Sequence, residues 1–238
     1  MANNWFKTGD EGEKWAQEEQ KRVTERIQST RRFWLKPGGE ALVTFLDTVG
    51  FYVYEHNLKL RGKWNNFFTC LQEFDNCPIC TAGFNPYMGC VYTVIDHTKF
   101  KTKAGKEVKN QKKLLVVKKT ANDILIDRKR NDLDGDLTFA LMRTKRHKDD
   151  DPNTGADWTF KKRLDQETMR KLIPTDLDDD ERESYLKPFD YTKIFAPKTA
   201  AELTAIVGGT PPVGSADYSS GSSDGDSSVN VDDIEELI

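Results

Sequence analysis

HNLKLRGKWNNFFTCLQEFDNCPICTAGFNPYMGC, residues 56–90, contains all four cysteines of a 238-residue chain and one of its three histidines. Tetrahedral zinc takes thiolate and imidazole ligands, and CPIC (77–80) sets two sulfurs two residues apart on a tight turn, the chelate spacing of a zinc knuckle. Cys70 is near enough in sequence to supply a third sulfur. The fourth ligand is either His56, in the extended aromatic run FYVYEHNL, or Cys90, which opens the apolar run CVYTVI. His56 is the favoured choice, with Cys90 as the alternative and His97 more remote. A pair of disulfides is the competing reading, but MANNWFKTGDEGEK is polar and lacks the apolar core of an export signal, so a reducing, cytoplasmic setting is expected. One zinc per chain, clipping the loop of about 56–90 onto its domain, is the expectation.

Outward from this stretch the apolar pattern is mostly that of short strands. Residues 40–48 and 51–58, rich in Val, Phe, Tyr, Leu and Thr and split by Gly50, read as a strand pair after the PGG stop at 37–39. Further strands are expected at 64–69, 90–98, 112–118, 137–146 and 157–163, the last two joined as a hairpin by DDDPNTG (149–155). DLDGD (132–136) looks superficially like a calcium loop. Its glycine comes too early and Arg143 stands where the bidentate glutamate belongs, so it reads as a turn. Residues 9–29 read as a helix capped by Asp10, with Trp15, Val23 and Ile27 on one stripe, and short helices are expected at 165–173, 178–186 and 199–206. From Gly208 onward the chain is Gly/Ser/Pro/Asp-rich and is expected to be disordered. The expected organisation is therefore an arm at 1–30, a domain at 31–175, a short helical extension at 176–207 and an acidic tail at 208–238. Five or more short strands with one zinc clip suit a mainly β domain of the OB type, a small five-stranded barrel.

Charge indicates the partner. The net charge of −3 conceals a basic body: residues 215–238 carry seven acids and no base, which leaves 36 bases against 32 acids, or +4, before them. Residues 99–130 alone hold twelve Lys/Arg against three acids, the footprint of a polyanion partner. Aromatic residues are interleaved with these bases, as single-strand binding by base stacking and phosphate tracking requires. The candidates are Tyr52, Tyr54, Lys59, Arg61, Lys63, Trp64, Lys99, Phe100, Lys101, Lys112, Lys113 and Trp158. The ending VNVDDIEELI sets Ile234, Leu237 and Ile238 among Asp232, Asp233, Glu235 and Glu236, a pattern that suits docking in a basic-rimmed apolar groove of a replication or recombination protein such as a polymerase, helicase or nuclease.

Taken together, His56, Cys70 and CPIC (77–80) within an expected OB barrel, the flanking WNNFFTC and VYTVIDH, and the acidic DDIEELI ending resemble the single-stranded-DNA-binding proteins of tailed phages, of the zinc-containing helix-destabilising type. The resemblance covers roughly residues 30–175 and the tail. It implies a protein that coats and protects single-stranded DNA during phage replication, recombination and repair in the host cytoplasm, and recruits partners through its tail. Cys90 is a thiol beyond that pattern, and the basic N-terminal cooperativity motif of the family has no counterpart here. Enzymes are disfavoured, because neither a G-x-x-x-x-G-K-[ST] loop nor an H-E-x-x-H helix occurs. A zinc-bearing transcription or protein-interaction adaptor is the alternative, distinguished by weak affinity for oligonucleotides.

Overall fold

EALVTF and FYVYEHNLKL, dense in β-branched and aromatic residues, form strands β1 (Glu40–Phe45) and β2 (Phe51–Leu60). They are followed by β3 (Lys63–Thr69), β4 (Tyr87–Asp96), the two-residue strands β5 (Phe100–Lys101) and β6 (Glu107–Val108), β7 (Gln111–Val117), β8 (Ala140–Lys145) and β9 (Asp157–Arg163). The computed structural model describes residues 9–10, 12–16, 32–60, 63–101, 107–147, 157–175 and 177–208, with side chains at all of these except 63–65 and 100–101. The chain divides into units Met1–Arg32 and Phe33–Ile238. In the first, residues 12–16 are helical, while Val23 and Ile27 lie outside the described residues.

The second unit is built on one antiparallel sheet in the order β3-β2-β4-β1-β8-β9, with β7 on the other edge of β4. β4 is shared: Tyr87–Val91 pair with β2, Val94–Asp96 with β1, and Cys90–Asp96 with β7. β1 and β2 therefore do not pair with each other as expected but flank successive halves of β4. The reason lies at Gly50, where the connecting chain passes so close to β4 that an added Cβ would stand 2.3 Å from Cys90 Sγ and 2.7 Å from the Tyr92 ring. β8 starts at Ala140 rather than 137 because the chain bends at Phe139, whose φ is 59°, and Phe139 N–H donates to the Phe45 carbonyl.

The described residues of this unit also form helices α1 (Pro78–Thr81), α2 (Lys119–Asp132), α3 (Gln166–Lys171), α4 (Asp179–Tyr185), α5 (Tyr191–Ile194) and α6 (Ala200–Gly208). Asp165 and Asp178 cap α3 and α4 through their side chains, in α4 as a capping box with Glu181. α2 is unanticipated from the sequence. Its Ala121 and Leu125 cover the sheet face formed by Val43, Phe45, Tyr92, Val94, Leu115 and Val117. The other face is covered by α3 and α4, through Met169 and Tyr185, and by Phe195 after α5. Tyr185, Phe195 and, from α6, Leu203 thus join the cores. Tyr191 fixes part of this covering layer: its hydroxyl donates to the carboxylate of Asp47, a buried group that also accepts the Thr93 N–H. Among the described residues no helix is long and apolar enough to cross a membrane.

Gly50→Ala is expected to destabilise the fold by about 1–3 kcal/mol through overpacking against Cys90 and Tyr92, measured by urea denaturation. Burial pushes the Asp47 carboxyl above the usual carboxylate range despite its hydrogen bonds. A folded-state pKa raised in this way favours the fold fully below the unfolded value of about 4, and that contribution is lost as pH rises through the folded value. Asp47→Asn is expected to flatten this limb of the stability–pH curve.

Candidate metal centre

The β2–β3 hairpin sets the first two candidate ligands. Its register pairs His56 with Phe68 and Glu55 with Thr69, and the Cys70 N–H, one residue past β3, donates to the Tyr54 carbonyl at 2.8 Å. Cys77 precedes the single turn of α1, where Pro78 starts the helix without needing a donor, and Cys80 lies one turn on. The side-chain donor atoms of His56, Cys70, Cys77 and Cys80 all lie within 4.8 Å of one another. His56 Nε2 stands 3.4 Å from Cys77 Sγ and 3.5 Å from Cys80 Sγ, and Cys70 Sγ is 3.6 Å from Cys80 Sγ. A tetrahedral ion with metal–sulfur bonds of about 2.3 Å and a metal–nitrogen bond of about 2.0–2.1 Å places ligand atoms about 3.5–3.8 Å apart, so these four residues fit a metal ion with little movement.

The surroundings suit the same use. The Gln72 N–H donates to Cys70 Sγ at 3.4 Å. Leu58, Leu71, Ile79 and Leu203 close the shell, the last from α6. Burial lowers the His56 pKa to about 4, so the ring is neutral and its Nε2 lone pair is available at neutral pH. Its Nδ1 is buried without a hydrogen bond, and the Phe84 main chain, which pulls the ring's pKa upward, is the group placed to orient it. The thiols are unequal. Burial, then the neighbouring Cys70 and Cys77, pushes Cys80 up to about 12, and burial also raises Cys70. At Cys77 burial is outweighed by the main-chain groups of Leu71, Cys80 and Ile79, so this thiol ionises more easily than usual. Three sulfurs this close do not all carry charge alone; a divalent cation among them removes that penalty.

Cys90 is elsewhere. It is buried in the sheet beside Tyr92, with its thiol raised by burial, so His56 rather than Cys90 completes the cluster. His97 is also apart, its ring held between Thr44 Oγ1 at 2.7 Å and Asn110 Oδ1 at 2.9 Å.

The candidate strand-binding residues separate into groups. Tyr52 and Tyr54 are 51% and 39% exposed on one face of β2, and Lys59 is exposed farther along it. Trp158 is a correction: it is 3% exposed, meets Phe45 edge-on and belongs to the core, where no base reaches it. Lys113 and Lys112 are committed to the fold, Lys113 in a 2.6 Å pair with the buried Asp96, Lys112 donating to the Ser184 carbonyl and lying 4.5 Å over the Phe189 ring. Lys99 is partly buried before β5. Lys63, Trp64, Phe100 and Lys101 lie on β3 and β5, with side chains outside the described set, and Arg61 and the tail residues Asp232, Asp233, Ile234, Glu235, Glu236, Leu237 and Ile238 lie outside the described residues. Sequence reasoning missed Gln72, whose main-chain N–H donates to Cys70 Sγ and whose Oε1 accepts from Cys80 Sγ, and Asn122, which lies in the unanticipated helix. Compared with known protein families, curated proteins and solved structures, the chain matches none.

Protein purified without chelator is expected to carry one metal ion per chain by elemental analysis. Cys77→Ser and His56→Ala should each lose it and lower the melting temperature, whereas Cys90→Ser should retain it. Loss of metal from His56→Ala alone is the informative arm, since that ligand was the open choice.

Proposed function

We propose that this protein is a zinc-containing single-stranded-DNA-binding protein. The observation that carries the reading is the Tyr52–Tyr54 pair: two exposed rings on one face of a strand that, two residues on, supplies His56 to the ligand cluster. Rings two residues apart on a strand are separated by about 6.6 Å, a ladder on which successive unstacked bases lie flat. The zinc assignment rests on the three-sulfur, one-nitrogen donor set with tetrahedral spacing, which suits zinc better than the oxygen-seeking calcium or magnesium. Residues 1–214 supply the positive charge for phosphates, with Lys59 on the same strand as the rings.

The sheet is read as an OB-type barrel because β4 carries β2 and β1 on successive halves of one edge, as a strand curving between two layers does. In this reading the zinc clips the Cys70–Cys80 segment to β2 and holds the rings in place. The acidic tail recruits a replication or recombination partner of the phage, and the protein works in the host cytoplasm without catalysing a reaction.

Titration with oligo-dT and with duplex DNA of equal length at two salt concentrations tests the reading. Single strands should be preferred, and affinity should fall by roughly 0.7 log units per log unit of salt for each phosphate neutralised. Tyr54→Ala should cost about 1–3 kcal/mol of binding with the melting temperature kept. Weak binding to every oligonucleotide would replace this reading with the adaptor, whose metal site meets a protein.

A further inference from the structure

Tyr52 combines an exposed ring with a hydroxyl turned inward. Asn122, on α2 and 4% exposed, donates from Nδ2 to the Tyr52 hydroxyl at 3.2 Å. Its Oδ1 accepts from the hydroxyl of Tyr92 at 2.7 Å. Tyr92 is itself 2% exposed, braced edge-on by Phe45 at 5.4 Å between ring centroids, and pressed by the chain at Gly50 so closely that a methyl there would stand 2.9 Å from its hydroxyl oxygen. The Asn122 amide thus has one end on an immobile core hydroxyl and the other on the single polar atom of a solvent-facing ring.

Both ends of the amide are paired: Oδ1 accepts from the Tyr92 O–H and Nδ2 donates to the Tyr52 hydroxyl. A phenylalanine at 52 would offer the same stacking area without an anchor, and an aspartate at 122 could not donate. Ordering an exposed ring costs rotamer entropy when a base lands on it, and a ring already held in place avoids that cost.

We propose that Asn122 is a positioning residue that presents the Tyr52 ring to an unstacked nucleobase, so that α2 and β2 form one base-stacking platform. This rests on the single-strand-binding reading and assigns one of its stacking positions to a named hydrogen bond between helix and strand.

The test is a double-mutant cycle on the full-length, metal-loaded protein, with Tyr52→Phe, Asn122→Leu and both together. Each is titrated with oligo-dT and with an abasic oligomer of equal length at one salt concentration. Each single variant should lose about three- to tenfold in affinity for oligo-dT, the scale of one neutral hydrogen bond, and the double variant should lose no more than either single. Affinity for the abasic oligomer should be unchanged, which a loss of general structure would not produce. Full oligo-dT affinity in both single variants, or losses that multiply in the double variant, overturns the positioning role while leaving the wider reading intact. Wild-type protein that binds neither oligomer overturns both. Where Asn122→Leu does not fold, Tyr52→Phe decides alone: it keeps the ring, and unchanged oligo-dT affinity in it overturns the proposal.

Discussion

Strand β4 must satisfy three neighbours, and the architecture follows from how it does so. From Gly89 to Asp96 every residue of it is buried, so each of its main-chain groups must find a partner within the protein. β2 and β1 share one edge in succession while β7 takes the other. That division runs the β1–β2 connection alongside β4, against Cys90 and Tyr92, which is why glycine stands at position 50. It also leaves little room where the three strands β2, β4 and β7 converge: a methyl on Gly89 would sit 3.0 Å from Val116 Cγ1. With both sheet faces buried near β4, the helices had to divide, α2 to one face and the segment from α3 to Phe195 to the other.

The candidate metal centre depends on the same strand at one remove. β2 is aligned by its pairing with β4, and the β2–β3 register then brings His56 into reach of the thiols. Because side chains alternate along a strand, a slip of one residue in β2 would turn His56 to the opposite face and bring Glu55 or Asn57 toward the centre instead. The two cysteines of CPIC need no such alignment, since one helical turn holds them. The site therefore joins a local chelate to two ligands, His56 and Cys70, whose separation is a property of the sheet.

This difference explains what could be read in the sequence. The chelate was legible because its geometry is encoded in four consecutive residues, and His56 was legible as the histidine in a strand-like run close to the cysteines. Most strands were legible from their β-branched and aromatic content, and α3, α4 and α6 with the help of Pro174, Pro188 and Pro197 as punctuation. The pairing of β1 with β4 and β8 was not, because nothing local distinguishes a hairpin from two strands that follow one another along the same neighbour. α2 escaped notice because KTANDILIDRKRND buries only Ala121, Asn122 and Leu125, one of them polar, so its apolar stripe is thin and the basic run around it dominates. Trp158 was misjudged for the reverse reason: its neighbours Lys161, Lys162 and Arg163 are exposed, whereas the indole is on the inward side of the same strand.

The fate of the basic residues follows a related rule, in which the exposure of an ion pair decides what its charge can still do. Lys119–Asp123 and Arg128–Asp132 on α2 are i,i+4 surface pairs, the first with side chains 77% and 54% exposed. Such pairs contribute well under 1 kcal/mol, so their cations exchange readily onto a phosphate that offers equal or better geometry. Lys113–Asp96 is different: the lysine is 19% exposed and the carboxylate 5%, and drawing the ammonium away would leave Asp96 buried without its cation. Among the described residues this basic stretch thus holds a charge that secures β7 and charges that face solvent on α2, the helix that also carries Asn122 against the hydroxyl of Tyr52. In the proposed single-strand-binding role α2 would supply both solvent-facing charge and, through Asn122, the brace of the Tyr52 ring.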